Sequence, residues 1–134
     1  MMICDYTEPR LDELIPLYAS VGWTSYTDHP ERLEAAYRQS LTVLAAWEDH
    51  ELLGVIRAVG DGVSILFVQD LLVYPQHQRK GVGSALMRTL LARYPHVHQT
   101  ELLTDKTEKT NAFYRSLGFQ AAKEAGCISF IKLG

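Results

Sequence analysis

The chain has 134 residues, 47% hydrophobic and 22% charged, which is the size of one domain spanning 1–134 with enough apolar material for a packed core. Its formal net charge of -3 and pI near 5.9 provide no basic field for a phosphate backbone, which argues against nucleic acid as a partner. No basic start followed by an apolar stretch occurs, nor any run near the roughly 20 apolar residues of a membrane span, so no membrane partner and a cytoplasmic location are expected.

Residues 3–6 read as a first strand. Thr7 and Pro9 supply an N-cap and an early-helix proline, and Leu11, Leu14, Ile15 and Tyr18 recur on one face of the helix that follows. Residues 21–29 read as a loop, after which Asp28, His29, Pro30 and Glu31 open a second helix with Leu33, Ala36, Tyr37 and Leu41 as its buried stripe. Residues 42–47 and 52–59 are apolar runs rich in strand formers around a short polar turn, which predicts a hairpin. A third strand, 64–74, enters through Gly60, Asp61 and Gly62, so three neighbouring antiparallel strands are expected.

After Pro75 the period changes, because Val82, Ala85, Leu86 and Leu90 repeat as a helix does, starting near Gly81. Residues 99–104 return to strand and 105–117 form a helix stopped by Gly118. Residues 119–122 and 127–133 are then expected as two strands that close the sheet. The fold class is α/β (α+β), a mixed, mostly antiparallel sheet flanked by about four helices, with a parallel strand-helix-strand unit in its middle. No repeat, low-complexity tract or linker divides it.

Cys4 and Cys127 stand near opposite ends in no ligand spacing and read as free thiols buried in strands. Of the five histidines, His96 and His98 share one side of a strand pattern, but two ligands do not make a metal site, and none is expected.

The chemistry-bearing segment is 71–84, a strand that passes through a tight turn into a helix. Gly81 and Gly83 lack a Cβ and let backbone approach a ligand closely, while first-turn N–H groups have no intrahelical acceptor and sit at the positive end of the helix dipole. Arg79 and Lys80 add full charges at the same place, so the turn suits a pyrophosphate. It is not a Walker loop, since no GK[ST] follows, nor a dinucleotide fingerprint, since Leu86 stands where a third glycine is required. A plain glycine turn with a solvated basic pair is the alternative for this segment taken alone.

Gln78, Arg79, Lys80, Gly81, Val82 and Gly83 resemble the Q/R-x-x-G-x-G/A motif with which the GNAT superfamily cradles the pyrophosphate of coenzyme A. Asn111 through Phe119, with Phe113, Tyr114, Leu117 and Gly118 between, resemble that family's FYxxLGF helix ending, in the expected order and at the expected separation. The resemblance covers about residues 52–133 well and the first two helices only in outline. It implies a sheet with a central pair of parallel, splayed strands and acetyl-CoA as co-substrate. The pantetheine then pairs with backbone of Leu71, Leu72 and Val73, and the turn through Ser84 holds the pyrophosphate. A primary amine of a small molecule or peptide attacks the thioester directly. Tyr114 matches the family's general acid for the departing thiolate, and a backbone N–H near Leu71 or Leu72 would steady the developing oxyanion. Trp23 and Tyr26 match a loop that borders the acceptor pocket in small members, ordinary core aromatics being the other reading.

Two places depart from the family pattern. The glutamate that some relatives use as base is Leu102 here, and its neighbour Glu101 points to the other face. Asp70, a carboxylate in an apolar strand, is the better candidate base, with a structural carboxylate or proton loss to water as the alternatives. Thr107 stands where an asparagine is common, and Asn111, three before Tyr114 on the same helical face, is the substitute cofactor contact. A non-catalytic acyl-CoA-binding sensor or partner module would need the glycine turn but not Tyr114. Dimers are common in the family, which leaves a homodimer open.

Overall fold

The apolar runs after Leu41 become the middle of a five-stranded sheet. In the computed structural model, which describes residues 1–134, the elements are β1 (Met2–Asp5), α1 (Leu11–Ser20), α2 (Thr24–Thr27), α3 (Pro30–Arg38), β2 (Thr42–Glu48), β3 (Glu51–Gly60), β4 (Ile65–Val73), α4 (Val82–Arg93), β5 (Gln99–Leu102) and α5 (Glu108–Ser116). Strand order is β1-β2-β3-β4-β5, antiparallel from β1 to β4 and parallel between β4 and β5, so the expected parallel pair forms but lies at the edge of the sheet rather than in its middle. The chain groups into two compact units, Met1–Leu103 and Thr104–Gly134.

In the first unit the β2–β3 turn is Asp49 and His50, both with positive φ, the two-residue geometry that matches strand twist. The sheet is buried on both faces. One carries Val43, Ala45, Val55 and Leu72 against Leu14, Leu17 and Tyr18 of α1 and Leu33 and Tyr37 of α3. The other is covered by α4, which packs on β2, β3 and β4 through the buried Val82, Leu86, Met87 and Leu90. Gly54 sits where a Cβ would lie 2.4 Å from the Leu72 carbonyl oxygen, which explains a glycine in mid-strand.

Several local expectations shift. The first helix starts at Leu11 with extended Arg10 before it and no side-chain cap. Tyr6 Oη, not Thr7, accepts the Arg10 N–H at 3.1 Å and donates to Glu13 Oε1 at 2.8 Å. The loop 21–29 contains the short helix α2. Leu41 lies past the end of α3 and is exposed, its N–H bonded to the Ala58 carbonyl. Cys4 is only half-buried, and both cysteines are free thiols.

In the second unit, Thr107 caps α5 by accepting the Thr110 N–H at 3.1 Å. Gly118 adopts φ +93°, so its N–H reaches the Arg115 carbonyl and that of Phe119 reaches Tyr114, the bonding of a left-handed helix stop. The two closing strands do not form. Near 119–122 the backbone is engaged locally, Ala121 N–H to Glu124 Oε1 and Glu124 N–H to Ala121 O, in a 3-10 turn over Ala122–Ala125. Residues 127–133 have strand-forming side chains but no partner ladder, and Cys127, Ile128, Phe130, Ile131 and Leu133 are exposed. Strand propensity supplies one edge of a ladder and never the other. No helix is long and apolar enough to cross a membrane.

Candidate functional site

β4 carries an irregularity that sets the site. Val68 pairs with Ala58 and Asp70 with Arg57, so Gln69 is an extra residue opposite no partner. Such a bulge turns the following side chains to the other face. Asp70 therefore lies beside Arg57 on the α1 and α3 side rather than with Leu66 and Val68.

There the carboxylate is 1% exposed and enters a closed network. Its Oδ2 accepts from Tyr18 Oη at 2.7 Å and Arg57 Nε at 2.8 Å, and the hydroxyls of Tyr18 and Tyr37 are 2.8 Å apart. Arg57 also donates through Nη1 to Ser40 Oγ and lies over the Tyr37 ring. Burial, and then neighbouring negative charge, raises the Tyr18 phenol well above its ordinary value, and burial does the same at Tyr37, so both stay protonated. Burial alone would lower Arg57, but the Asp70 charge and hydrogen bond outweigh it and hold the guanidinium charged.

Asp70 Oδ1, by contrast, is buried with no hydrogen-bond partner. Asp70 lines a cavity of about 470 Å³ with Trp23 and Tyr26 of the α2 region, Phe67, Gln69 and Leu103. The structure thus brings together three residues chosen from the sequence, Trp23, Tyr26 and Asp70. Glu101 is exposed, bonded to Gln99, and does not line the cavity.

The other end of β4 is open. The parallel ladder with β5 runs from Ile65↔Gln99 to Val68↔Leu102, so residues 69–73, including Leu71, Leu72 and Val73, have no strand on that side. Their backbone donors and acceptors there need another partner. The chain then makes a 3-10 turn over Pro75–His77, and Gln78 Nε2 ties back to the Val73 carbonyl at 3.1 Å. Gln78 thus braces the turn. Arg79 at φ +67° and Gly81 at φ +81° both take the left-handed conformation, which is strained for Arg79 and free for glycine. No side chain caps α4, and Ala85 is the first N–H to bond into it, at the Gly81 carbonyl. The N–H groups of Val82, Gly83 and Ser84 consequently have no intrahelical acceptor, and exposed Arg79 and Lys80 stand beside them.

In the second unit Tyr114 is half-buried between Phe113 and Phe119, edge-on to both at 5.0 and 5.8 Å between centroids. Burial first, then the charge of Asp105, raises its phenol, a bond with Thr104 offsetting part, so the hydroxyl keeps its proton at neutral pH. Asn111 Oδ1 accepts from Arg115 Nε at 3.0 Å, leaving its amide N–H groups for other partners.

Sequence reasoning missed Tyr18, Tyr37 and Arg57 as site members. The two tyrosines were absorbed into apolar stripes, although a hydroxyl on a buried face needs a partner. The available signal was Arg57, the single charge inside a strand otherwise apolar from Leu52 onward, which calls for a buried carboxylate.

Comparison with known proteins gives a consistent picture. The acetyltransferase (GNAT) domain family matches residues 39–121. A solved GNAT-family acetyltransferase from Streptococcus pneumoniae TIGR4 is 39% identical, with a TM-score of 0.90 over 99% of this chain and 97% of that one. The chloroplastic GCN5-related N-acetyltransferase 1 of Arabidopsis thaliana is 28% identical over 114 residues, 82% of this chain and 56% of that protein. An aminoglycoside 6'-N-acetyltransferase complexed with coenzyme A shares the fold, at 22% identity and TM-score 0.63, over 71% of this chain and 56% of that one. The chain spans about half the length of the curated relatives it matches.

The buried network makes a stability prediction. Arg57→Ala strands a buried carboxylate and should cost about 3–5 kcal/mol in urea unfolding, whereas the double variant Arg57→Met/Asp70→Leu should recover most of that loss. A single-variant loss no larger than that of Arg10→Ala, whose pair with Asp12 is exposed, would show that the network does not hold the fold.

Proposed function

The chain belongs to the GNAT acetyltransferase family, and from that premise we propose that it is an N-acetyltransferase that moves an acetyl group from acetyl-CoA to a primary amine. The observation that carries this reading is the course of β4, whose unpaired edge leads through a strained turn into the uncapped N-terminus of α4. An unpaired strand edge suits the amide groups of a pantetheine arm, and free first-turn N–H groups beside two cations suit a pyrophosphate. Coenzyme A bound to a protein of the same fold supports the donor.

In this reading Leu71, Leu72 and Val73 offer backbone bonds to pantetheine. Gly81, Val82, Gly83 and Ser84 hold the pyrophosphate with Arg79 and Lys80, while Gln78 braces the turn and Asn111 contributes an amide. Acetyl-CoA supplies the acetyl thioester. The amine nitrogen forms the new bond to carbonyl carbon as the carbon–sulfur bond breaks. Asp70, or a water it orders, takes the proton that the nitrogen loses. A backbone N–H at Leu71 or Leu72 steadies the oxygen. Tyr114, protonated at neutral pH, donates toward the thiolate. The Tyr114 phenol is held above its ordinary value near 10, so it shares its proton with the departing thiolate and solvent completes the transfer. Trp23 and Tyr26 border the acceptor.

The same donor site would serve a non-catalytic acyl-CoA-binding module. Calorimetry and steady-state thiol release separate the parts. Gly83→Asp places a side chain and a negative charge at the first turn of α4 and should reduce acetyl-CoA affinity by at least about tenfold. Unchanged affinity in the folded variant would remove the turn from the donor site. Tyr114→Phe should keep that affinity and lower kcat by about 100- to 10,000-fold. Equal kcat would make Tyr114 a packing residue.

A further inference from the structure

The cavity beside Asp70 has a composition that narrows the acceptor. Its volume of about 470 Å³ fits a small molecule rather than a folded surface. One part of its wall is flat and apolar, the rest polar. Trp23 is 39% exposed and stacks on Tyr26, with 6.2 Å between centroids and 27° between planes, and Tyr26 packs in turn on buried Tyr18 at 5.0 Å. Leu103 on the same cavity is 55% exposed, and Phe67 completes the apolar wall. Two large apolar side chains thus face solvent at one hollow, where an apolar ligand would cover them.

Charge narrows it further. Among the lining side chains one carboxylate occurs and no base. That carboxylate is paired through Oδ2 with Arg57, and its Oδ1 is buried without a hydrogen-bond partner. The remaining polar groups are the neutral Thr24, Ser25 and Gln69, the last 3.5 Å from Tyr26 Oη. A buried carboxylate oxygen without a partner is costly, and one amino group satisfies it. A second ammonium on the same ligand would find no counter-charge there, and the aromatic faces and hydroxyls of the wall would offset only part of the water it loses.

Resting on the transferase reading above, we infer that the acceptor is a small amine with a single amino group on a flat, apolar body. The body lies along Trp23 and Tyr26 and the amino group meets Asp70 Oδ1. Polyamines and amino sugars with several ammonium groups are disfavoured, because the lining offers one unpartnered carboxylate oxygen and no second counter-charge.

The test is calorimetric binding of 2-phenylethylamine and of spermidine to the protein with coenzyme A present, so that no acetyl group moves. Wild type should bind 2-phenylethylamine at least about tenfold more tightly than spermidine, and Trp23→Ala should remove about that factor for 2-phenylethylamine alone. Ser25→Glu, at an exposed wall position, adds a second carboxylate and should raise spermidine affinity several-fold without raising that of 2-phenylethylamine. Spermidine binding as tightly as 2-phenylethylamine in wild type overturns the inference, as does an affinity for 2-phenylethylamine indifferent to Trp23→Ala. Thiol release from acetyl-CoA is read separately. Trp23-dependent binding without release from any amine sinks the transferase reading and keeps the acceptor class, whereas faster release with spermidine keeps the transferase and sinks the class.

Discussion

The Asp70 carboxylate lies between a guanidinium and a phenol, out of water, and much of the first unit is arranged around that fact. A buried ion pair holds only if its remaining hydrogen-bonding capacity is met. Here Tyr18 comes from α1, Tyr37 from α3, and Arg57 from β3, so satisfying one carboxylate oxygen fixes both helices over the sheet. The second oxygen is left unsatisfied beside a cavity. The interaction that orients the helices therefore also holds the carboxylate proposed as the base. Loss of Arg57 should disturb fold and chemistry together, unlike loss of an exposed pair such as Arg38 with Glu34.

β4 serves two purposes along one strand. Its bulge at Gln69 aims Asp70 at the aromatic cavity, and the next residues lose their parallel neighbour because β5 ends at Leu102. The edge proposed for the donor begins where the carboxylate proposed for the acceptor stands, and the strand's end delivers the chain to the turn before α4. At that turn Arg79 takes the left-handed conformation as a non-glycine residue, and Gly81 supplies the second left-handed position without strain.

Much of this was legible in the sequence. Strand and helix periods place nine of the ten elements, and the glycine turn and the ending around Tyr114 carry the family resemblance. What the sequence did not reveal has physical reasons. A bulge is a one-residue change of register that alternation cannot show, so the face of Asp70 was open until Val68 and Asp70 were seen to pair with consecutive residues of β3. Tyr18 and Tyr37 fit an apolar stripe as well as a polar network, because a phenol serves both. The expected closing strands failed because 119–122 satisfies its backbone locally and 127–133 has no ladder. Thr107, a departure from the family pattern, has a local cause, since its hydroxyl caps α5.

The proposal that this fold transfers acetyl groups to nitrogen is tested most directly by product analysis. The wild-type protein is incubated with acetyl-CoA and 2-phenylethylamine, and free thiol and N-acetylated amine are quantified together over the same interval. The result expected is amide formed in step with thiol, one for one, above the rate without protein. Thiol released without amide would mean that water, not an amine, is the acceptor. Acetyl-CoA bound with neither product formed from any amine would mean that the donor site serves binding alone.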